Sequence, residues 1–142
     1  MSPGTLFALA NLSILPAWIL LAVLPWWKWT RVLAAYVTPA MLAGVWTMLM
    51  AGQLVPHGGG LGSLTQLVAM ARDPYILVAM WMHNLMLDLF LGAWEVRDAQ
   101  RLGVPHRYVV PCLALTFLAG PVGLLTYFAV RATVVKRVPW KS

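Results

Sequence analysis

The sequence predicts an all-α integral membrane protein, a four-helix bundle with a short interfacial amphipathic helix between spans two and three. Three observations predict it. Of 142 residues 61% are hydrophobic and only 10% are charged, against roughly 25% charged in soluble domains. Four stretches are apolar over the roughly 20 residues that a helix needs to cross about 30 Å of hydrocarbon. Tryptophans stand beside cations at the ends of apolar runs, as in an interfacial aromatic belt. A chain this small cannot hide so much apolar surface from water, which excludes a soluble monomer.

The whole chain, 1–142, reads as a single transmembrane domain without internal repeats or low-complexity segments. Ten Lys and Arg against four Asp and Glu give a net charge of +6, which suits anionic headgroups of a lipid bilayer. The basic residues are scattered over chain ends and loops instead of lining one face, so no nucleic-acid partner is expected. The lone Cys112 excludes an intrachain disulfide framework and a cysteine-built zinc site. It lies in an apolar run, where the reactive thiolate is disfavoured.

The first span, about 5–24, carries no charge. It has no basic leader, and Pro25, Trp26 and Trp27 follow where a cleavage site needs small residues, so an uncleaved span is expected. Trp26, Trp27 and Trp29 surround Lys28 ahead of Arg31, and Trp140 beside Lys141 repeats the pattern. The second span covers about 32–55. Then comes His57-Gly58-Gly59-Gly60, a superficial match to the oxyanion loop of esterases. No Gly-x-Ser-x-Gly nucleophile elbow accompanies it, and the glycines read as a flexible turn. Ser63-Leu64-Thr65-Gln66 forms a capping-box pattern, and Leu64, Leu67, Val68 and Ala71 recur at spacings of three and four. That predicts a short helix lying on the membrane surface.

The third span, about 74–100, opens with Asp73 as N-cap and Pro74 as first helical residue, and closes with Arg97, Arg101 and Gly103. The fourth covers about 108–130. Pro16, Pro39 and Gly120-Pro121 fall inside spans, where they bend helices and open wedge-shaped gaps suited to apolar ligands. With four spans the basic residues divide five to five between the two sides, so charge leaves the orientation undecided.

Chemistry concentrates in the third span. At about 100° per residue, Asn84, Asp88, Glu95 and Asp98 form one polar stripe that should face protein, not lipid. Asp88 lies about 21 Å into the helix, where an unpaired carboxylate costs at least about 2.5 kcal/mol, which marks it as a functional candidate. The bland alternative is a hydrogen-bonded acid that joins helices, with Asn84 as partner. His83 sits about 100° off the stripe. It could carry a proton, donate to an oxygenated lipid, or ligate a chlorophyll-type pigment above the small Ala79; otherwise it is a packed histidine. Trp81, Trp94 and Gly120 join His83, Asn84 and Asp88 as expected ligand-binding positions.

Glu95, Asp98, Arg101 and His106 form an expected interfacial polar cluster, with Asp98 and Arg101 three apart and able to pair. Three histidines scattered over three segments make no ligand spacing, so no metal is expected. Eight methionines and eight tryptophans suit packing and interface anchoring as well as a pigment cavity.

Asn11 with Leu15-Pro16, the run His83 to Asp88-Leu89-Phe90-x-Gly92-x-Trp94, Asp98-Ala99, Gly103-Val104-Pro105-His106, and Pro111-Cys112-Leu113-x-Leu115-Thr116-Phe117-x-x-Gly120-Pro121-x-Gly123-Leu124-Leu125 together resemble the ABA4-like family. These are small four-span membrane proteins named for the plant abscisic-acid-deficient-4 protein. The resemblance covers about Asn11 to Arg131. It implies a connection with carotenoids, because the plant member is required for forming neoxanthin from violaxanthin in plastid membranes. It brings no settled catalytic set; His83, Asp88, Gly92, Asp98, His106 and Gly120-Pro121 are the matching positions. A plastid transit extension is lacking here, so a bacterial inner-membrane member is expected, and that reaction does not transfer literally.

The leading expectation is therefore a membrane protein that holds a carotenoid or related isoprenoid pigment and assists its modification. Acid/base isomerisation is the plausible chemistry if it turns over, with Asp88 exchanging the proton and His83 orienting an oxygen. The rival is a non-catalytic accessory subunit of a larger membrane assembly, such as a photosynthetic pigment-protein complex. It would touch carotenoid or chlorophyll-type pigment and approach a partner subunit closely through Ala40, Ala43 and Gly44. A transporter is weaker, since no inverted repeat supports alternating access.

Overall fold

The computed structural model describes residues 1–53 and 62–135, and these are helical or connect helices. Helix α1, Pro3–Val23, starts where Ser2 Oγ accepts from the Thr5 amide at 3.2 Å and Pro3 fills a position that needs no N–H donor. Helix α2, Lys28–Val32, runs through a π turn at Leu33–Val37 into α3, Thr38–Gln53. The π turn has a local cause: Pro39 cannot donate to the carbonyl four residues back and its ring would crowd it. Thr38 N–H reaches back to the Leu33 carbonyl instead, and the wider turn keeps the helix going.

Helix α4, Leu64–Ala71, begins with Ser63 Oγ accepting from the Gln66 amide, as the capping pattern requires. Met70 on it is buried with Met50, Ile76 and Ala79, while Leu64 and Val68 face outward. The His57-Gly60 motif lies outside the described residues. Helix α5, Pro74–Leu102, opens on the Asp73 side chain, which accepts from the Tyr75 and Ile76 amides, and closes on Gly103 at φ +70°. It is the axis of the molecule: α1, α3, α4, and the two helices that follow all pack against it. Among the described residues three helical stretches are long and apolar enough to cross a membrane: Pro3–Val23, Lys28–Gly52 and Pro74–Leu102. Large apolar side chains such as Leu12, Ile19, Met48 and Leu125 point outward, as a lipid-facing surface requires.

The expected fourth span, 108–130, is not one helix. Helix α6, His106–Leu118, ends at Ala119, whose backbone (φ −157°, ψ 81°) is not helical, and α7 covers Gly120–Val135. Ala119 N–H closes α6 on the Leu115 carbonyl at 2.7 Å, and its own carbonyl opens α7 by accepting from Val122 and Gly123. Pro121 prevents α6 from continuing, since it has no N–H and crowds the preceding turn. The result is a reversal and not the bend expected of Gly120-Pro121. Gly120 rests against Asp88, fourteen residues from either end of α5, whereas Tyr127 and Arg131 bond to Asp98, four residues from its C-terminal end. So α6 runs about 20 Å down α5 and α7 returns beside it. The two arms touch at Gly123, where any Cβ would collide with the backbone and hydroxyl of Thr116.

One end of the bundle is stitched by side chains. His106 Nε2 lies 2.8 Å from the Ala22 carbonyl with its ring edge-on to Trp26. Gln100 donates to the Pro25 carbonyl at 2.8 Å, and Thr30 to that of Leu24 at 2.7 Å. The loop after α1 and the loop after α5 therefore share this end. At the other end Tyr75 OH donates to the Met1 carbonyl.

Candidate functional site

The polar stripe of α5 divides into two places with different chemistry. Near the stitched end, Asp98 is almost wholly buried and fully engaged. Its Oδ2 accepts from Tyr127 OH at 2.9 Å and Arg131 Nε at 2.8 Å, and its Oδ1 from Arg101 at 3.0 Å. One helical turn away Glu95 is completely buried, with Oε1 accepting from Thr116 at 2.9 Å and Oε2 without a partner among the described residues. Trp94 wedges edge-on against Tyr127 and Phe128. These contacts tie α5 to both arms of the hairpin.

The expected cluster of Glu95, Asp98, Arg101 and His106 is thus only partly assembled. Asp98 and Arg101 pair as their spacing predicts. Glu95 lies in the packed interior instead of at an exposed headgroup level, because the α6 arm covers it. His106 turns away to the α1 carbonyl. Tyr127, Arg131 and Thr116 complete the network; sequence reasoning missed Tyr127 and Arg131 because their approach depends on the reversal at Ala119, and Thr116 because it depends on which face α6 turns to α5. Among the described residues no three of His, Cys, Asp and Glu come together in a way that could hold a metal ion.

The second place is a cleft of about 830 Å³ midway along α5, where the tip of the hairpin meets α1. Asn11, Leu12 and Leu15 line it from α1, Trp81, Asn84 and Asp88 from α5, and Phe117 with the turn Leu118 to Pro121 from the hairpin. Trp81 Nε1 donates to Asn11 Oδ1 at 3.2 Å, and Asn11 Nδ2 to the Phe7 carbonyl at 2.7 Å, which holds the Asn11 amide in the wall. No hydrogen bond from a described residue reaches the Asp88 carboxyl or the Asn84 amide. The Asp88 carboxyl is seated against Gly120, and a side chain there would displace it. The cleft thus offers an apolar body with a few convergent polar groups and one carboxyl, which is the usual make-up of a small-molecule site.

Two further grooves flank this cleft along α1 and share wall residues with it. A shallower groove shares Trp81 and Asn84 with it and adds Phe7, Leu77 and Met80. A wholly apolar groove on the other side shares Leu15 and Phe117 and extends past Ile19 to Ala22. From Phe7 to Ala22 the row covers about 22 Å of helix. Asn11 is the site residue that sequence reasoning left out of the site; being the only amide or charged group in an otherwise apolar span was the available signal.

Of the expected ligand-binding positions, Trp81, Asn84, Asp88 and Gly120 are brought together here. Trp94 is not, being packed on α7. His83 is not either: it is exposed on another face of α5, its ring 6.1 Å from that of Trp46 on α3. A joint action of His83 and Asp88 on one group in the cleft therefore has no geometric basis. A protein-family model, ABA4-like (ABA DEFICIENT 4-like), matches residues 5–127. No curated protein and no solved structure matches the chain.

Proposed function

The chain belongs to the ABA4-like family, and from that premise we propose that it is a membrane protein, seated in a bacterial inner membrane, that holds a carotenoid or related oxygenated isoprenoid along α1. The observation that carries this reading is the row of three neighbouring grooves along α1 that share wall residues, apolar over most of their surface, with Asn11, Asn84 and Asp88 near the middle. A long polyene fills such a row by burial of apolar area, about 25 cal/mol per Å². Its hydroxyl, keto or epoxide oxygen meets the amides and carboxyl at the hairpin tip. Asp88 is the group placed to give or take a proton there, and the Gly120 contact fixes where its carboxyl points.

Extraction in a mild detergent, followed by mass spectrometry and absorbance of the bound molecules, tests the reading. The expected result is an isoprenoid that copurifies with the parent chain and is depleted at least fivefold by Asp88→Asn or by Leu15→Trp, which fills the groove. Retention of the same pigment by both variants, at normal protein level, overturns it. A second reading, a subunit of a larger assembly, is supported by one surface. Gly44 on α3 has nothing within 4 Å of where a Cβ would stand, and Ala40, Met41 and Met48 beside it are exposed. Comigration of the pigment with a high-mass complex that is dissolved by Gly44→Leu favours that reading.

A further inference from the structure

We infer that the α6–α7 hairpin is re-entrant, so that the chain lies in the membrane with the start of α1 outside and the basic end of the bundle against the anionic headgroups of the cytoplasmic leaflet. Four straight spans would place the end of α7 beside the start of α1. The contacts of Arg131 and Tyr127 with Asp98 place it instead beside the α1–α2 and α5–α6 loops. A single span running from His106 to Arg131 would separate Arg131 from that end by about 37 Å, too far for any such contact.

This topology redistributes the charges. Lys28, Arg31, Arg97, Arg101, Arg107 and Arg131 all belong to the stitched end, and among the described residues Arg72 alone belongs to the other. The five-to-five division expected for four spans becomes six to one. Lys136, Arg137 and Lys141 lie outside the described residues and do not enter that count. A Lys and Arg excess close to helix ends marks the cytoplasmic side, and each such residue is drawn to an anionic surface. Lys28, Arg31, Arg97 and Arg107 are exposed there, and Trp26, Trp27 and Trp29 are exposed beside them at the depth of an aromatic belt.

The hairpin also satisfies the rule against bare backbone in lipid. Its turn, Leu118 to Pro121, is not open to acyl chains on every side but lines a cleft that holds Asn11, Asn84 and Asp88. Ala119, the non-helical residue of the turn, gives its N–H to the Leu115 carbonyl and accepts at its own carbonyl from Val122 and Gly123, so its backbone groups are satisfied internally as hydrocarbon requires.

Single cysteines introduced by Ser2→Cys, Ser63→Cys and Thr133→Cys, in the full chain expressed in a bacterial inner membrane, test the inference. The native Cys112 is fully buried and can stay. A membrane-impermeant maleimide should label positions 2 and 63 in intact cells and position 133 only after permeabilisation. Labelling of 2 and 133 from the same side overturns the re-entrant hairpin, and the reverse pattern overturns the orientation. Lys28→Glu combined with Arg31→Glu should lower the correctly oriented fraction severalfold; an unchanged fraction overturns the role of the basic end. Should a variant fail to accumulate, green fluorescent protein fused after the last residue of the parent chain reads the same question, fluorescing only from the cytoplasm.

Discussion

Asp98 and Asp88 share one polar stripe of α5, ten residues apart, yet the bundle surrounds them in opposite ways. Asp98 receives three donors from two helices and is sealed by Tyr127. Asp88 receives no side-chain donor from the described residues and opens onto the cleft. Both lie in the same hairpin's path: the α7 arm reaches Asp98, and only the tip reaches Asp88. A carboxyl satisfied by its own protein serves architecture, whereas one left unsatisfied at a cavity wall is available to a guest. Residue type and helical position alone do not distinguish the two.

The sharpest way to break this contrast is to open the hairpin. Gly123→Val places two methyl groups into the Thr116 backbone, so loss of the folded, monodisperse protein is expected, a cost of several kcal/mol that size-exclusion chromatography and thermal unfolding in detergent would show. Next in size, Asp98→Ala leaves Arg131 and the Tyr127 hydroxyl without their acceptor. About 3 kcal/mol is expected, at the low end for a buried pair because Arg131 is partly exposed. An unaltered unfolding temperature would mean that the network does not hold the arms. Thr116→Val removes the one donor that the described residues give the buried Glu95 and should cost about 1–3 kcal/mol by the same measurement.

Asp88→Asn should separate the two regions. Stability should stay within about 0.5 kcal/mol, while the amount of copurifying isoprenoid falls. A stability loss equal to that of Asp98→Ala would show that Asp88 is architectural after all. The smallest effect is expected of His83→Ala, which removes an exposed ring away from the cleft: bound isoprenoid and unfolding temperature should both remain as in the parent.

Much of this was legible beforehand where the determinants are local. Ser63, Asp73 and Gly103 mark the helix ends at which they stand, and the stripe turns inward at Glu95 and Asp98 as its angular spacing predicts, whereas Asp88 is half-buried and Asn84 exposed at the cleft. The hairpin was not legible in the same way. Residues 108–130 are apolar over a membrane's width, and Gly120-Pro121 inside such a run reads as a bend. What decides for the reversal instead is the fit of Gly123 on Thr116 and the pairing of Arg131 with an acid 33 positions earlier, and neither has a periodic signature. Glu95 went the same way: its burial comes from a helix arm whose course the sequence does not announce. His83 shows the converse error, where nearness to Asp88 in sequence suggested joint action that the 500° of helical rotation between five residues does not allow.

The bond between Arg131 and Asp98 also has a temporal side. During translation α5 emerges some thirty residues before the guanidinium that completes its carboxylate, so a nascent chain halted short of α7 exposes a nearly naked acid, with Arg101 as its remaining cation. Until the returning arm docks, Asp98 lacks two of its three donors, Tyr127 and Arg131, so the same bond that closes the bundle also completes the charge balance of α5.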